Sequence, residues 1–293
     1  MACLTLKDRA AQALALGKGE RIDWSAVLPA TVVALANYHL FQLFQNPSAG
    51  TYPGAALNAA VVTGGSAPSL PSGIINFLDP VAPDRSYFLY GECLPQTAPM
   101  LGELILFDLL AYYPGIPANN AAPQALVGAA SVLPPRLANG RGVHMMLDTT
   151  AALGAVAAND VITYTNNLGV AGRTTPAFAV VPSSPIGRVP HSRYIVPLQD
   201  GDDGVQSAQT HDLSAAMGGG TLALTLIKPL VSIPIPANLS TTSGIGVAKW
   251  FVDPLDVTEI LTGAALSAVF IPSAATASAQ LLGHLKNVKL NPN

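Results

Sequence analysis

The segment Thr221 to Ile227 reads TLALTLI. Leu222, Leu224 and Leu226 fall on one side of an extended chain, and Thr221, Ala223 and Thr225 fall on the other. A period of two is the mark of a strand. Comparable apolar runs recur at RSYFLYG (85–91), GELILFDLL (102–110), RGVHMMLD (141–148), DVITYTN (160–166), PAFAVVP (176–182), HSRYIVPL (191–198), VQSAQTHDL (205–213) and GTLALTLIKPL (220–230). VSIPIP, just beyond, reads as a possible edge. Turn-rich stretches separate the runs: ANGRG, AAND, NNLGVAG, DGDDG and MGGG. Between Asp108 and Arg136 lies a proline-punctuated stretch that reads as a long loop. Many short strands with such punctuation predict a mainly β protein with an antiparallel β-sandwich or jelly-roll core. The predicted core includes Leu104, Leu106, Val161, Leu222, Leu224 and Leu226.

The flanks have a different texture. LKDRAAQALALG is rich in helix formers and ends at Gly17, and LPATVVALANYHLFQLFQN places Val33, Leu40, Phe41 and Phe44 at near-helical spacing. A strand reading of TVVALANYHLF remains open. Residues 47–83 are dominated by Gly, Pro, Ser and Ala and read as an extended connection. The tail mixes a short helix near 254–263, a following strand, and LLGHLKNVKLNPN at the end. The predicted organisation is a partly helical, partly extended assembly region (1–83), a β-sandwich domain (84–236) and a C-terminal extension (237–293) lying as an arm outside the sandwich.

Composition narrows the function. Charged residues are 11 % of the chain, against roughly 25 % in an ordinary soluble domain. Half of the residues are hydrophobic and only 6 % aromatic. Large uncharged surfaces favour association, so a homo-oligomer or a larger assembly is expected. The formal net charge is −3 with 14 Lys+Arg and no basic stripe, so direct nucleic-acid binding is not expected. The charge-free stretch from Ile260 to Leu282 is broken by Thr, Ser, Gly and Pro272, which argues against a membrane-spanning helix. Cys3 and Cys93 form no C-x-x-C pair and read as two reduced thiols.

Candidate chemistry is sparse. Asp200, Asp202 and Asp203 begin a calcium-loop-like spacing, but Gly204 stands where an oxygen donor is needed and His211 where a bidentate Glu is needed. Asp-Gly pairs are ordinary hairpin chemistry, so QDGDDGV reads as a turn joining two consecutive strands. His39, His144, His191, His211 and His284 form no H-x-x-x-H or H-E-x-x-H. The counts of Ser, His and Asp allow a triad, but no G-x-S-x-G elbow is present. His144 and His211 fit face-lining or core positions better than metal ligation. Tyr112 and Tyr113 before Pro114 are the obvious aromatic cluster for a ligand-binding loop, and a core or interface role suits them better. The reading is therefore no catalytic, cofactor-binding or metal residues and no cofactor.

Four segments, in order, resemble a group of tailed-bacteriophage virion structural proteins: DRSYFLYGECLPQTAPMLGELILFDLLAYYPGI, ANGRGVHMMLD, ITYTNNLGVAGRTTP and VPLQDGDDGVQSAQTHDLSAAMGGGTLALTLIKPLVSIPI. The resemblance spans about residues 84–236. It implies a non-enzymatic virion part: a capsid decoration, cement or minor capsid protein that contacts the major capsid protein or other virion subunits. The alternative is a tail- or fibre-associated receptor- or glycan-binding jelly roll. A major capsid protein or a hydrolase is less favoured. No catalytic residues come with the resemblance.

Overall fold

The computed structural model describes residues 15–46, 48–50, 60–62, 72–95, 101–126, 133–235, 248–251, 258–277 and 280–291. The described chain begins with β1 (Gly19–Val27), β2 (Thr31–Val32), β3 (Asn37–His39), β4 (Phe44–Asn46) and β5 (Ala60–Val61). Two long strands follow, β6 (Arg85–Pro95) and β7 (Gly102–Pro117), then β8 (Gln124–Ala125), β9 (His144–Ala151) and β10 (Ala158–Asn166). Next come β11 (Arg173–Thr174), β12 (Phe178–Val180), β13 (Arg188–Val189), β14 (Val205–Leu213) and β15 (Thr221–Ile235). The last are β16 (Ala248–Phe251), β17 (Glu259–Ile260), β18 (Leu266–Pro272), β19 (Thr276–Ala277) and β20 (Gln280–Leu290).

Among the described residues three antiparallel sheets carry the fold, which is mainly β and of sandwich type, and β19 and β2 form a separate two-stranded sheet. The first has the order β16-β6-β20-β1-β4, with β17 also on β6. The second runs β13-β3-β18-β7-β15-β9, with β5 on β7, and the third runs β11-β10-β14-β8, with β12 on β10. β7 and β15 pair along almost their whole length, from Thr221↔Pro117 to Ile235↔Gly102. One half of this ribbon puts Leu104, Leu106, Ile233 and Ile235 into a core with Trp24, Phe88 and Leu285 of the first sheet. The other half puts Tyr113, Leu222, Leu224 and Leu226 into a second core with Ile162, Tyr164 and Leu213 of the third sheet.

The second sheet curls until it is nearly closed. The Gly187 amide donates to the Thr149 carbonyl of β9 (2.9 Å), and the Gly187 carbonyl accepts from the His39 amide of β3 (2.8 Å). Its inner face holds a third core, including Phe107, Leu109, Met146, Ala223, Ile227 and Val269. The alternate face of β15 is therefore interior too, and Ala223 and Thr225 are both fully buried.

Several expectations change. The stretch read as a loop after Asp108 is strand as far as Pro117. Its Pro114 and Gly115 sit where the pairing skips a residue between Leu224↔Tyr113 and Leu222↔Ile116, and Gly115 takes φ +74° there. A bulge with a left-handed glycine is how a strand carries such a pair. Of VSIPIP, the VSIPI part (231–235) is the continuation of β15, and its Pro234 lies beyond Ile227, where β9 no longer pairs with it. HSRYIVPL is not a strand. Its Val196 amide donates once to Met145 of β9 (2.8 Å), and its Tyr194 and Ile195 pack on the third core. Val161 is only half buried, because Asp160 and Ile162 face inward instead.

Where the flanks are described, only Ala15 is α-helical, and it is followed by a turn at 16–17. LPATVVALANYHLF forms β2, β3 and a single 3-10 turn at Leu40–Gln42, while Val33 is exposed. The helix expected over 6–17 falls almost wholly outside the described residues, as does the first part of the one near 254–263. Residues 258–263 are β17 and a turn. The tail is no outer arm: β18 lies between β3 and β7, and β20 lies between β6 and β1 with nine register pairs from Gly19↔Val288 to Val27↔Gln280. Strands from all three expected regions thus share sheets. In the Gly/Pro-rich stretch, Ile74, Ile75 and Phe77 are buried against the chain itself.

Candidate functional site

The acidic loop is held by its middle carboxylate. Asp202 Oδ2 accepts from Tyr164 Oη (2.5 Å) and Arg173 Nε (2.9 Å), and Oδ1 accepts from Asn166 Nδ2 (2.8 Å). The side chain is 3 % exposed. Tyr164 Oη in turn accepts from the Gln199 amide (2.9 Å), and Gly142 donates its amide to Asp203 O (2.8 Å). Burial of Asp202 opposes ionisation, but the donors Arg173, Tyr164 and Asn166 outweigh it and hold the carboxyl below its ordinary value. Tyr164 is pushed up to about 12, first by burial and then by the Asp202 carboxylate. The loop is a braced connection from the irregular segment after β13 into β14, rather than a turn between two strands. Asp203 reaches Arg141 at 3.5 Å on an exposed surface. Among the described residues, no group of three or more His, Cys, Asp or Glu side chains is placed to hold a metal.

The nearly closed sheet encloses a Ser–His–Asp constellation that no local spacing could reveal. His39 Nδ1 lies 2.7 Å from Asp148 Oδ2, and His39 Nε2 lies 3.0 Å from Ser267 Oγ. This is the order in which a relay of this type is wired. The three residues come from β3, β9 and β18, and each is at most 1 % exposed. The imidazole stacks on Phe41 (centroids 5.7 Å, 24°) and leans on Phe107 (5.2 Å, 49°). The far face of Phe41 is closed by Gly50, where an added Cβ would fall 2.4 Å from the ring. Ser267 sits mid-strand opposite Phe107. The arrangement orients a buried imidazole through both ring nitrogens, with Ser267 0 % exposed.

A second interior acid lies on β7. Arg136 donates to both oxygens of Asp108 from Nε and Nη2 (each 2.8 Å) and to Val62 O (3.1 Å), while Ala265 donates its amide to Asp108 Oδ1 (2.9 Å). Burial pushes the Asp108 carboxyl up, and Arg136 and the Ala265 amide pull against it. This fork bolts the loop before β9 to the middle of β7. The signal in the sequence was a lone acid inside an apolar strand: Asp108 in LILFDLL, Asp148 in HMMLD and Asp160 in NDVITY.

The remaining candidates are dispersed. His144 is half buried, and burial followed by Lys228 lowers its pKa. His191 meets Phe178 edge-on at 4.9 Å, and burial lowers its pKa. His211 is interior beside Asp160, and His284 is a buried residue of β20. Tyr113 is fully buried, accepts from the Ala208 amide (2.9 Å) and is pushed up to about 12 by burial; Tyr112 is buried beside it. Cys93 is a buried free thiol. Cys3 lies outside the described residues. Among the described residues, no helix is long and apolar enough to cross a membrane.

No family model and no curated protein matches the sequence. Among solved structures, a structure of the infectious bursal disease virus Gx strain aligns at 8 % identity and a TM-score of 0.21, over 94 % of this chain and 82 % of that one. The crystal structure of the infectious bursal disease virus VP2 subviral particle aligns at 10 % identity and a TM-score of 0.20, over the same shares. Backbones that superpose this loosely do not define a common fold, and no residue role is carried over from them.

Proposed function

We propose that this chain is a non-enzymatic structural component of a bacteriophage virion, a capsid decoration, cement or minor capsid protein that binds neighbouring subunits. The observation that carries this reading is the surface. A chain with 11 % charged residues holds apolar side chains out on turns: Leu35 is 70 % exposed, Leu168 77 % and Val81 83 %. Leu168 sits at the tip of the hairpin that Asn166 closes, where Asn166 Oδ1 accepts from the amides of Leu168 (3.1 Å) and Val170 (2.9 Å). A stiff apolar tip loses little conformational entropy on docking, which suits a subunit contact. The resemblance of residues 84–236 to phage virion proteins supports the same reading, and it is what selects a phage particle and its capsid. The sealed Ser267–His39–Asp148 network supports the non-enzymatic part. A receptor- or glycan-binding module would want exposed aromatics on loops, whereas Tyr112 and Tyr113 are interior.

The test is add-back. Purified protein is mixed with particles made without it and sedimented. Saturable co-sedimentation at a fixed ratio to the major capsid protein, weakened at least tenfold by Leu168→Asp, is the expected result. No binding to such particles by a correctly folded protein contradicts the assignment.

A further inference from the structure

We propose that Asp160, His211 and Gln124 bind a first-row divalent transition-metal cation inside the third sheet. The three side chains lie on three adjacent strands, β10, β14 and β8. His211 is directly opposite Gln124 across one ladder and opposite Ile162 across the other, and Asp160 is opposite Leu213, one diagonal step from His211. Alternation along the strands therefore puts Asp160 and His211 on the same face of the sheet. Asp160 and His211 are 0 % exposed and Gln124 is 4 % exposed.

His211 Nδ1 and Asp160 Oδ2 approach to 2.9 Å. Yet neither ring nitrogen, neither carboxylate oxygen, nor Gln124 Oε1 has a hydrogen-bond partner. The Gln124 amide is not free to turn and repair this. Its Nε2 donates to the carbonyls of Pro117 (3.1 Å) and Asn120 (3.3 Å), which fixes Oε1 on the opposite side. Buried polar groups are almost always paired, and a bound ion or water is the ordinary explanation when several are not.

The geometry favours a cation. A metal about 2.1 Å from both Nδ1 and Oδ2 would see them roughly 87° apart, and the nitrogen lone pair would then point about 46° away from the carboxylate oxygen. That accounts for a 2.9 Å contact in which the ring N–H is not aimed at its neighbour. An angle near 90° suits a six-coordinate ion better than a tetrahedral one. An imidazole with two oxygen ligands suits manganese-, iron-, cobalt- or nickel-type divalent ions rather than soft copper(I). The bound ion would tie three strands together at the edge where β8 joins.

Metal content of the purified full-length protein is measured by mass spectrometry. The protein is then stripped with a chelator and titrated with Mn2+ and Co2+, with melting followed by calorimetry. The expected result is a single site whose filling raises the melting temperature by about 5–10 °C at saturating ion, with Co2+ giving a d–d absorption band. Asp160→Asn, which keeps the shape, abolishes the band and the shift. Paramagnetic shifts of the His211 ring protons in the wild-type Co2+ protein provide a readout that needs no variant. Absence of any melting shift with either ion overturns the proposal. So does a cobalt spectrum that survives Asp160→Asn or leaves the His211 ring unshifted.

Discussion

Removing the Asp202 carboxylate tests whether the acidic loop is a brace. Asp202→Ala strands two buried donors, Tyr164 Oη and Asn166 Nδ2, and frees the Arg173 guanidinium, which reaches water. Each stranded buried donor costs about 1–1.5 kcal/mol, so the variant loses about 2–3 kcal/mol. In a chain of this size that lowers the melting temperature by about 3–5 °C. Asp202→Asn keeps one acceptor and loses about half as much. The pH dependence has a definite sign. The folded carboxyl titrates below its unfolded value, so its stabilisation is present above the ordinary carboxylate range and is lost as pH falls through the lower, folded value. The gap between wild type and Asp202→Asn should therefore be widest near neutrality and shrink below about pH 4. Calorimetry across pH 3–8, with and without chelator, reads both effects. A gap that changes with chelator would mean that the loop holds a cation. An Asp202→Ala protein melting within a degree of wild type would refute the brace.

Four further outcomes follow from the packing. Asp108→Ala leaves Arg136 buried without its partner and should cost about 3–5 kcal/mol by urea unfolding, whereas Asp108→Leu combined with Arg136→Met should recover most of it. Deleting residues 264–293 removes β18 and β20 from the interior of two sheets, so circular dichroism should show no cooperative melt; a truncated chain that still melts sharply would contradict the topology. Tyr113→Phe leaves the buried Ala208 amide without its acceptor and should lower stability by about 1–2 kcal/mol in the same assay. Ser267→Ala should lower it by about 1 kcal/mol, and a serine-directed fluorophosphonate should label neither protein.

Alternation was a good guide wherever one face of a strand meets a core and the charge pattern agrees with it. Leu222, Leu224 and Leu226 are interior as expected, and β14 spans the predicted Val205–Leu213. It misled where an acid points inward. Asp160 made Val161 look like the core residue of β10. The helical reading of 28–46 and the outer-arm reading of the tail failed because helix formers and Gly/Pro content are local signals, whereas β3, β18 and β20 are held by partners more than 150 residues away along the chain. The same non-locality hid the interior polar groups. His39, Asp148 and Ser267 share no motif and meet because the second sheet nearly closes on itself. The brace at Asp202 was half legible: the turn chemistry is in the sequence, but the donors from Tyr164, Asn166 and Arg173 arrive from a neighbouring hairpin.

The central claim is that this chain is a structural part of a phage particle. It is tested most directly by quantitative mass spectrometry of particles purified through a density gradient, with the chain's copy number measured against the major capsid protein. The account predicts a fixed, symmetry-compatible number of copies per particle. It also predicts that a phage lacking the gene yields particles that are missing the protein and less resistant to heat or dilution. Particles free of the protein, with the chain recovered only from the soluble lysate and deletion leaving particle stability unchanged, would contradict it.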